Sequence, residues 1–173
     1  MSGIMNWTVF IIEAVALCAA FHLMIYLIIR FKPEWEIYSY PEPITKRWIE
    51  LGKVPVKEVP LFSERLKQKP PAAIFMAALL GGLVYWLNGC RNFLSGFLVS
   101  YGLWLIVDWY DALILDCLWF CNSKTCVLPG TEDMVEEYHD YMHHIKRSIT
   151  GMIIGLPVCL LIGLAVQIIC WIG

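Results

Sequence analysis

The chain has 173 residues, 59% of them hydrophobic and only 16% charged. A soluble domain of this size carries about 25% charged residues, so the composition excludes an ordinary soluble globule and points to a single domain whose solvent is lipid. The net charge of −2 supplies no broad basic field, which argues against nucleic acid as a partner.

Four apolar stretches are candidates for the span of about 20 residues that a helix needs to cross a bilayer. They cover 7–29, 72–89, 93–120 and 149–172. The expected fold is an all-α integral membrane protein, a four-transmembrane-helix bundle forming one membrane domain over 1–173. The first span lacks a positive start, contains Glu13, and is followed by Arg30 and Lys32. That layout predicts an uncleaved helix with its N-terminus outside rather than a removed signal. Nine of the thirteen Lys and Arg lie between Arg30 and Lys69, three between Lys124 and Arg147, and Arg91 stands apart. The positive-inside rule then makes the loops between spans one and two and between spans three and four cytoplasmic, with both termini outside.

The basic loop over 31–71 holds seven of the nine prolines. Within it, ITKRWIELGK sets Ile44, Trp48 and Leu51 on one helical face. Two readings stay open: a short amphipathic helix on the inner membrane surface, or a solvated basic loop beside anionic lipid.

Helices in lipid associate through small residues spaced by about four. Span four has Gly151, Gly155, Cys159 and Gly163 on one stripe, and span two has Ala73, Ala77 and Gly81 with Ala78 and Gly82 beside them. Span three adds Gly96 and Ser100. The spacing does not say whether these faces meet within one chain or between chains. Pro157 should bend span four, because it removes a backbone donor and crowds the preceding turn.

Ionisable side chains at membrane depth are costly and are functional candidates by default. Here they are Glu13, His22, Asp108, Asp111 and Asp116. His22 and Asp108 each lie fifteen residues beyond an outer helix end, Trp7 and Phe93, or roughly 22 Å deep at about 1.5 Å per residue. Matched depth makes a His22–Asp108 pair geometrically allowed, and by the same reasoning Glu13 and Gln167 could share a hydrogen bond. In DWYDALILD, Asp108 and Asp111 share a helical face and could hold a hard cation such as magnesium against a lipid phosphate. The alternatives are Asp111 and Asp116 at the interface with Asp108 paired inside the bundle, or a proton or ion path through Glu13, His22 and Asp108.

The connection CNSKTCVLPGTEDMVEEYHDYMHH has the spacing of a zinc site, with Cys121, Cys126, His139 and His143 as tetrahedral ligands. Pro129-Gly130 makes a turn and Thr131 a helix cap, which predicts a juxtamembrane helix over 131–147. On that helix Glu132, Glu136, His139 and His143 form a stripe, with Asp140 and His144 beside it. Glu136 and His139 also make a Glu-x-x-His element, of which a di-iron bundle needs two. The simplest reading is a solvated acidic and histidine-rich helix without metal. Of the seven cysteines, Cys90 and Cys170 both fall near the outer face, where depth alone would allow a disulfide.

With DWYDALILD, LWFC, PGTEDM and EYHDYMHHIK in view, the stretch from about Leu103 to Gly155 resembles small multi-span membrane proteins of bacteria. That resemblance implies a membrane location and a helical fold. It brings no activity and no site residue.

The sequence thus leads to a multi-pass protein of the cell membrane, with the lipid bilayer and either a second copy or another membrane protein as partners. The leading expectation is a non-enzymatic interaction or accessory subunit. Two rivals remain: a metal-dependent enzyme acting on lipid phosphates at the inner surface, and a proton-linked transporter or channel. A cofactor is implied only as a divalent metal, zinc for the Cys/His set or magnesium for the carboxylates.

Overall fold

The computed structural model describes residues 6–54 and 77–172. Every regular element among them is helical. Helix α1 covers Trp7–Phe31, and two short 3-10 turns, Pro33–Trp35 and Ile37–Ser39, lead to α2, Glu42–Glu50. Helix α3 covers Ala77–Leu87 and widens into a π-turn over Leu83–Leu87. Helix α4, Phe93–Tyr110, continues as a π-helix over Asp111–Trp119 and ends in a 3-10 turn, Phe120–Asn122. After the turn Lys124–Cys126 come the short α5, Val135–Tyr138, and the long α6, Tyr141–Ile172, which runs through Pro157.

Three of these stretches are long and apolar enough to cross a membrane: Trp7–Phe31, Phe93–Asn122 and Val135–Ile172. Their apolar residues are not reserved for a core. In α1, Ile11, Ile12, Val15 and Leu23 are all exposed, as are Ile153, Leu161 and Ile172 in α6. A helix apolar on every side and not covered by its own chain is matched to lipid. The described part of the second expected span, Ala77–Leu87, is a shorter apolar helix, and 72–76 lie outside the described residues.

The chain divides into two compact units. The first comprises Met1–Leu17, Val59–Asp108 and Thr150–Gly173; the second comprises Cys18–Glu58 and Trp109–Ile149.

In the first unit, Ala14, Leu80, Val84, Val99, Leu103, Ile162 and Val166 form a buried cluster. The small residues read from the sequence are what let these helices close. A Cβ on Gly96 would press on Val166 and the Gly163 backbone, and one on Gly163 would meet the Phe93 carbonyl and the Phe97 side chain. The Trp104 indole lies on Gly155 and donates from Nε1 to the Gly151 carbonyl at 3.1 Å. Gly151 also faces the Asp108 carboxylate. The stripe on α6 is therefore occupied within one chain, and Gly81 sits beside Ile162 of the same helix. Among the expected packing residues, Ala77 borders the cluster, and Ala73 lies outside the described residues.

In the second unit, Ile37, Tyr40, Ile44, Trp48, Val54, Phe120, Cys121, Cys126, Leu128 and Tyr138 form one core. Burying each large apolar side chain contributes about 1.5–3 kcal/mol, enough to order the first part of the proline-rich stretch. Helix α2 forms with Ile44 and Trp48 on one face, as the spacing predicts. That face is buried against the chain itself, and Leu51 stays exposed. The Trp48 indole donates to the Pro129 carbonyl at 3.2 Å, and the Tyr40 hydroxyl donates to the Cys126 carbonyl at 3.2 Å. The stretch from Cys126 to Tyr138 thus supplies the apolar surface for this face, in place of the membrane surface of one reading and the solvent of the other.

Candidate functional site

The candidate site of the second unit starts with the π-helix Asp111–Trp119. A π-helix is rare; it occurs mostly as a single turn and frequently marks a functional site; here it runs for nine residues. In an α-helix, residues five apart point far from each other at about 100° per residue. The wider i→i+5 turn brings them closer to one face, so Asp116 departs from the direction that an α-helix would give it. Its carboxylate oxygen Oδ2 lies 2.9 Å from Nδ1 of His144.

His144 owes its position to a helix start that the sequence reading misplaced. The expected continuous helix over 131–147 is interrupted. Thr131 is fully buried, its hydroxyl bonded to the Leu128 carbonyl at 2.8 Å and to the Tyr138 hydroxyl at 2.7 Å. Helix α5 ends at Tyr138, and α6 begins at Tyr141. The Asp140 carboxylate then accepts from the His143 backbone N–H at 3.0 Å, as an N-cap does. This new start turns His144 inward, where it is 2% exposed. The edge of its ring meets Phe120 at 5.2 Å between centroids, and His143 stands edge-on at 5.3 Å. His143 Nε2 lies 3.3 Å from the Ser39 carbonyl, and Arg147 donates to the Tyr38 carbonyl at 2.9 Å and to the Ser39 hydroxyl at 3.2 Å.

The bond to Asp116 assigns a proton to Nδ1 of His144, because the carboxylate can only accept. Nε2 is then the open nitrogen of the neutral ring. It is buried and has no hydrogen-bond partner among the described residues. A carboxylate-held imidazole with its second nitrogen open is the arrangement of a proton acceptor or a ligand. His22, on α1, also lies in this unit. His22 Nδ1 is 2.8 Å from the Tyr110 hydroxyl, and its ring stacks on Trp119 of the π-helix at 6.0 Å.

In the first unit, Glu13 is bonded by the side-chain amide of Asn88. Gln167, its expected partner, instead accepts from the Phe93 backbone N–H at 3.0 Å. Asp108 lies at Gly151 in this unit.

The zinc quartet is not assembled. Cys121 and Cys126 are core side chains, His143 is turned to Ser39, and His139 is exposed with its ring stacked on Tyr141 at 6.2 Å. The break between α5 and α6 destroys the single helical stripe that would have set His139 one turn from His143. Among the described residues no three His, Cys, Asp or Glu side chains are grouped as a metal site. Burial pushes the Cys126 thiol up to about 12, so it stays a neutral, unreactive core group. All seven cysteines are free, Cys90 and Cys170 included.

The chain matches no family model, no curated protein and no solved structure. Sequence reasoning named Asp116 but missed its partner. The signal was present in Asp140: an Asp directly before a long apolar-periodic run is a helix start, and a start there moves His144 from a solvated face to the interior.

Proposed function

We propose that the protein is a multi-pass protein of the cell membrane that takes up and releases protons, as a proton-linked transporter or channel, with the Asp116–His144 pair as its proton-accepting site. The observation that carries this reading is the open Nε2 of a His144 ring that is 2% exposed and held at Nδ1 by Asp116. Buried polar groups are normally satisfied, and ionisable groups at membrane depth mark proton relays and ion paths. Asp116 fixes the tautomer, and Nε2 accepts the proton; the carboxylate then stabilises the imidazolium. The positive-inside rule sets this site toward the cytoplasm, with four spans and both termini outside. The small-residue faces, which first suggested an accessory subunit, have partners within the chain, and this takes away their support for that role.

The test is proton flux into vesicles reconstituted with the purified protein and loaded with a pH-sensitive dye, driven by a potassium diffusion potential. Flux above that of protein-free vesicles is expected, with loss in His144→Gln at equal reconstitution. Wild-type vesicles no leakier than empty ones would return the reading to an accessory subunit.

A further inference from the structure

The first unit holds a polar pair of its own. Glu13 is 6% exposed and Asn88 is 8% exposed; Ala14, next to Glu13 in the chain, and Val84, four residues before Asn88, belong to the buried apolar cluster of this unit. The Asn88 amide N–H donates to Oε2 of Glu13. The two remaining oxygens, Oε1 of Glu13 and Oδ1 of Asn88, are buried and without a hydrogen-bond partner among the described residues. Both are acceptors, and an ionised carboxylate brings no donor to either.

We propose that Glu13 and Asn88 form a buried proton site, in which a protonated Glu13 carboxyl and the Asn88 amide make a cyclic acid–amide pair. One proton on Oε1 converts an orphan acceptor into a donor and supplies Oδ1 as well. The amide N–H to Oε2 and the acid O–H to Oδ1 then close one ring, and no buried atom of the pair is left over. The conclusion survives the ambiguity between an amide's oxygen and nitrogen. With the amide turned over, its oxygen faces Oε2 and requires the same proton there. The proton comes from bulk water, and its uptake turns the carboxylate into a neutral acid.

Charge supports the same assignment. Among the described residues no Lys, Arg or His forms an ion pair with Glu13. From the turn after α3, Cys90 lies near Glu13, and Arg91 lies beside Cys90. The Arg91 guanidinium is engaged elsewhere, over the Tyr85 ring at 4.2 Å and on the Cys90 carbonyl at 2.9 Å. Helix α4 brings no charge before Asp108, and the part of α6 in this unit brings none. A lone carboxylate in such surroundings is costly, and protonation removes that cost. The site stands whether or not the chain moves protons at His144.

The experiment is infrared spectroscopy of the full chain in lipid nanodiscs at neutral pH, with wild type compared against Glu13→Gln. The expected result is a carbonyl band of a protonated, hydrogen-bonded carboxylic acid, shifted in heavy water and absent from the variant. Glutamine keeps the ring, because its amide N–H replaces the acid O–H toward Asn88, so Glu13→Gln should unfold at the wild-type temperature. Should the variant fail to fold, the same band is read in wild type with isotope-labelled glutamate. An ionised carboxylate band for Glu13 at neutral pH overturns the proposal. So does an unfolding temperature that rises with sodium chloride but not with choline chloride, which would make the pair a metal-cation site.

Discussion

Asp116 on the π-helix and His144 on α6 meet at 2.9 Å, carboxylate oxygen to Nδ1, across 28 residues of sequence that contain a turn and a helix break. His144 is 2% exposed and the Asp116 side chain is 27% exposed, so the pair is only partly shielded from solvent. Truncation by His144→Ala leaves Asp116 without this partner and should cost about 1–3 kcal/mol. Asp116→Asn can still accept from Nδ1 and should cost less. Unfolding followed by tryptophan fluorescence in detergent ranks the two; equal losses would mean that the charged carboxylate's bond, and not the packing of the ring, carries the contribution.

The glycines of the first unit give a graded series. A Cβ on Gly155 runs into the Trp104 indole, whereas one on Gly81 comes no closer than 3.9 Å to Ile162. Gly155→Ala is therefore expected to lose about 1–3 kcal/mol through overpacking, and to loosen the Trp104 bond to Gly151. Gly81→Ala should be close to neutral. Thermal unfolding of both variants checks the order.

The helical class, three of the apolar stretches and the small-residue faces were legible because lipid imposes simple rules of length and spacing. The face of α2 that bears Ile44 and Trp48 was legible too. What covers that face was not, since amphipathicity says that a face is apolar but not whether lipid or protein meets it. The site failed for a sharper reason. Placing Asp116, His139 and His143 required an α-helical wheel. The π-helix over Asp111–Trp119 and the fresh start at Asp140 both break that wheel, one by widening the turn and the other by resetting the register. Glu13 was legible as a buried acid, but its partner Asn88 follows α3, beyond what matched depths along two helices could reveal.

Gly130 fixes the turn that carries the second unit's core. Its φ is +92°, and a Cβ there would strike the Leu51 side chain. The left-handed backbone alone costs a non-glycine residue about 1–2 kcal/mol. Gly130→Ala should lose at least that much, and Leu51→Ala in the same chain should restore only the steric part. Gly89, with φ of +67° and nothing within 4 Å of its Cβ position, isolates the backbone cost alone. Denaturation of the Gly89→Ala and Gly130→Ala variants compares them directly; equal losses would show that Leu51 moves aside freely.

Alkaline pH should weaken the second unit through Cys126 and Tyr40. Burial raises the Cys126 thiol to about 12 and raises the Tyr40 hydroxyl strongly, with the neighbouring Cys126 and Tyr138 adding to the effect on Tyr40. An unfolded cysteine loses its proton near about 8.5. Above that pH the unfolded chain binds fewer protons than the folded one, so stability falls as pH rises. The contribution of Cys126 is fully present below the unfolded value and disappears progressively up to about 12. The slope is at most about 1.4 kcal/mol per pH unit for each group. Cys126→Ala should flatten the decline between pH 9 and about 11, and Tyr40→Phe should remove the tyrosine's share while giving up its bond to the Cys126 carbonyl. Unfolding midpoints across that range, wild type beside both variants, decide it. A wild-type midpoint independent of pH would mean that these groups reach water in the folded state, against the buried core described for them.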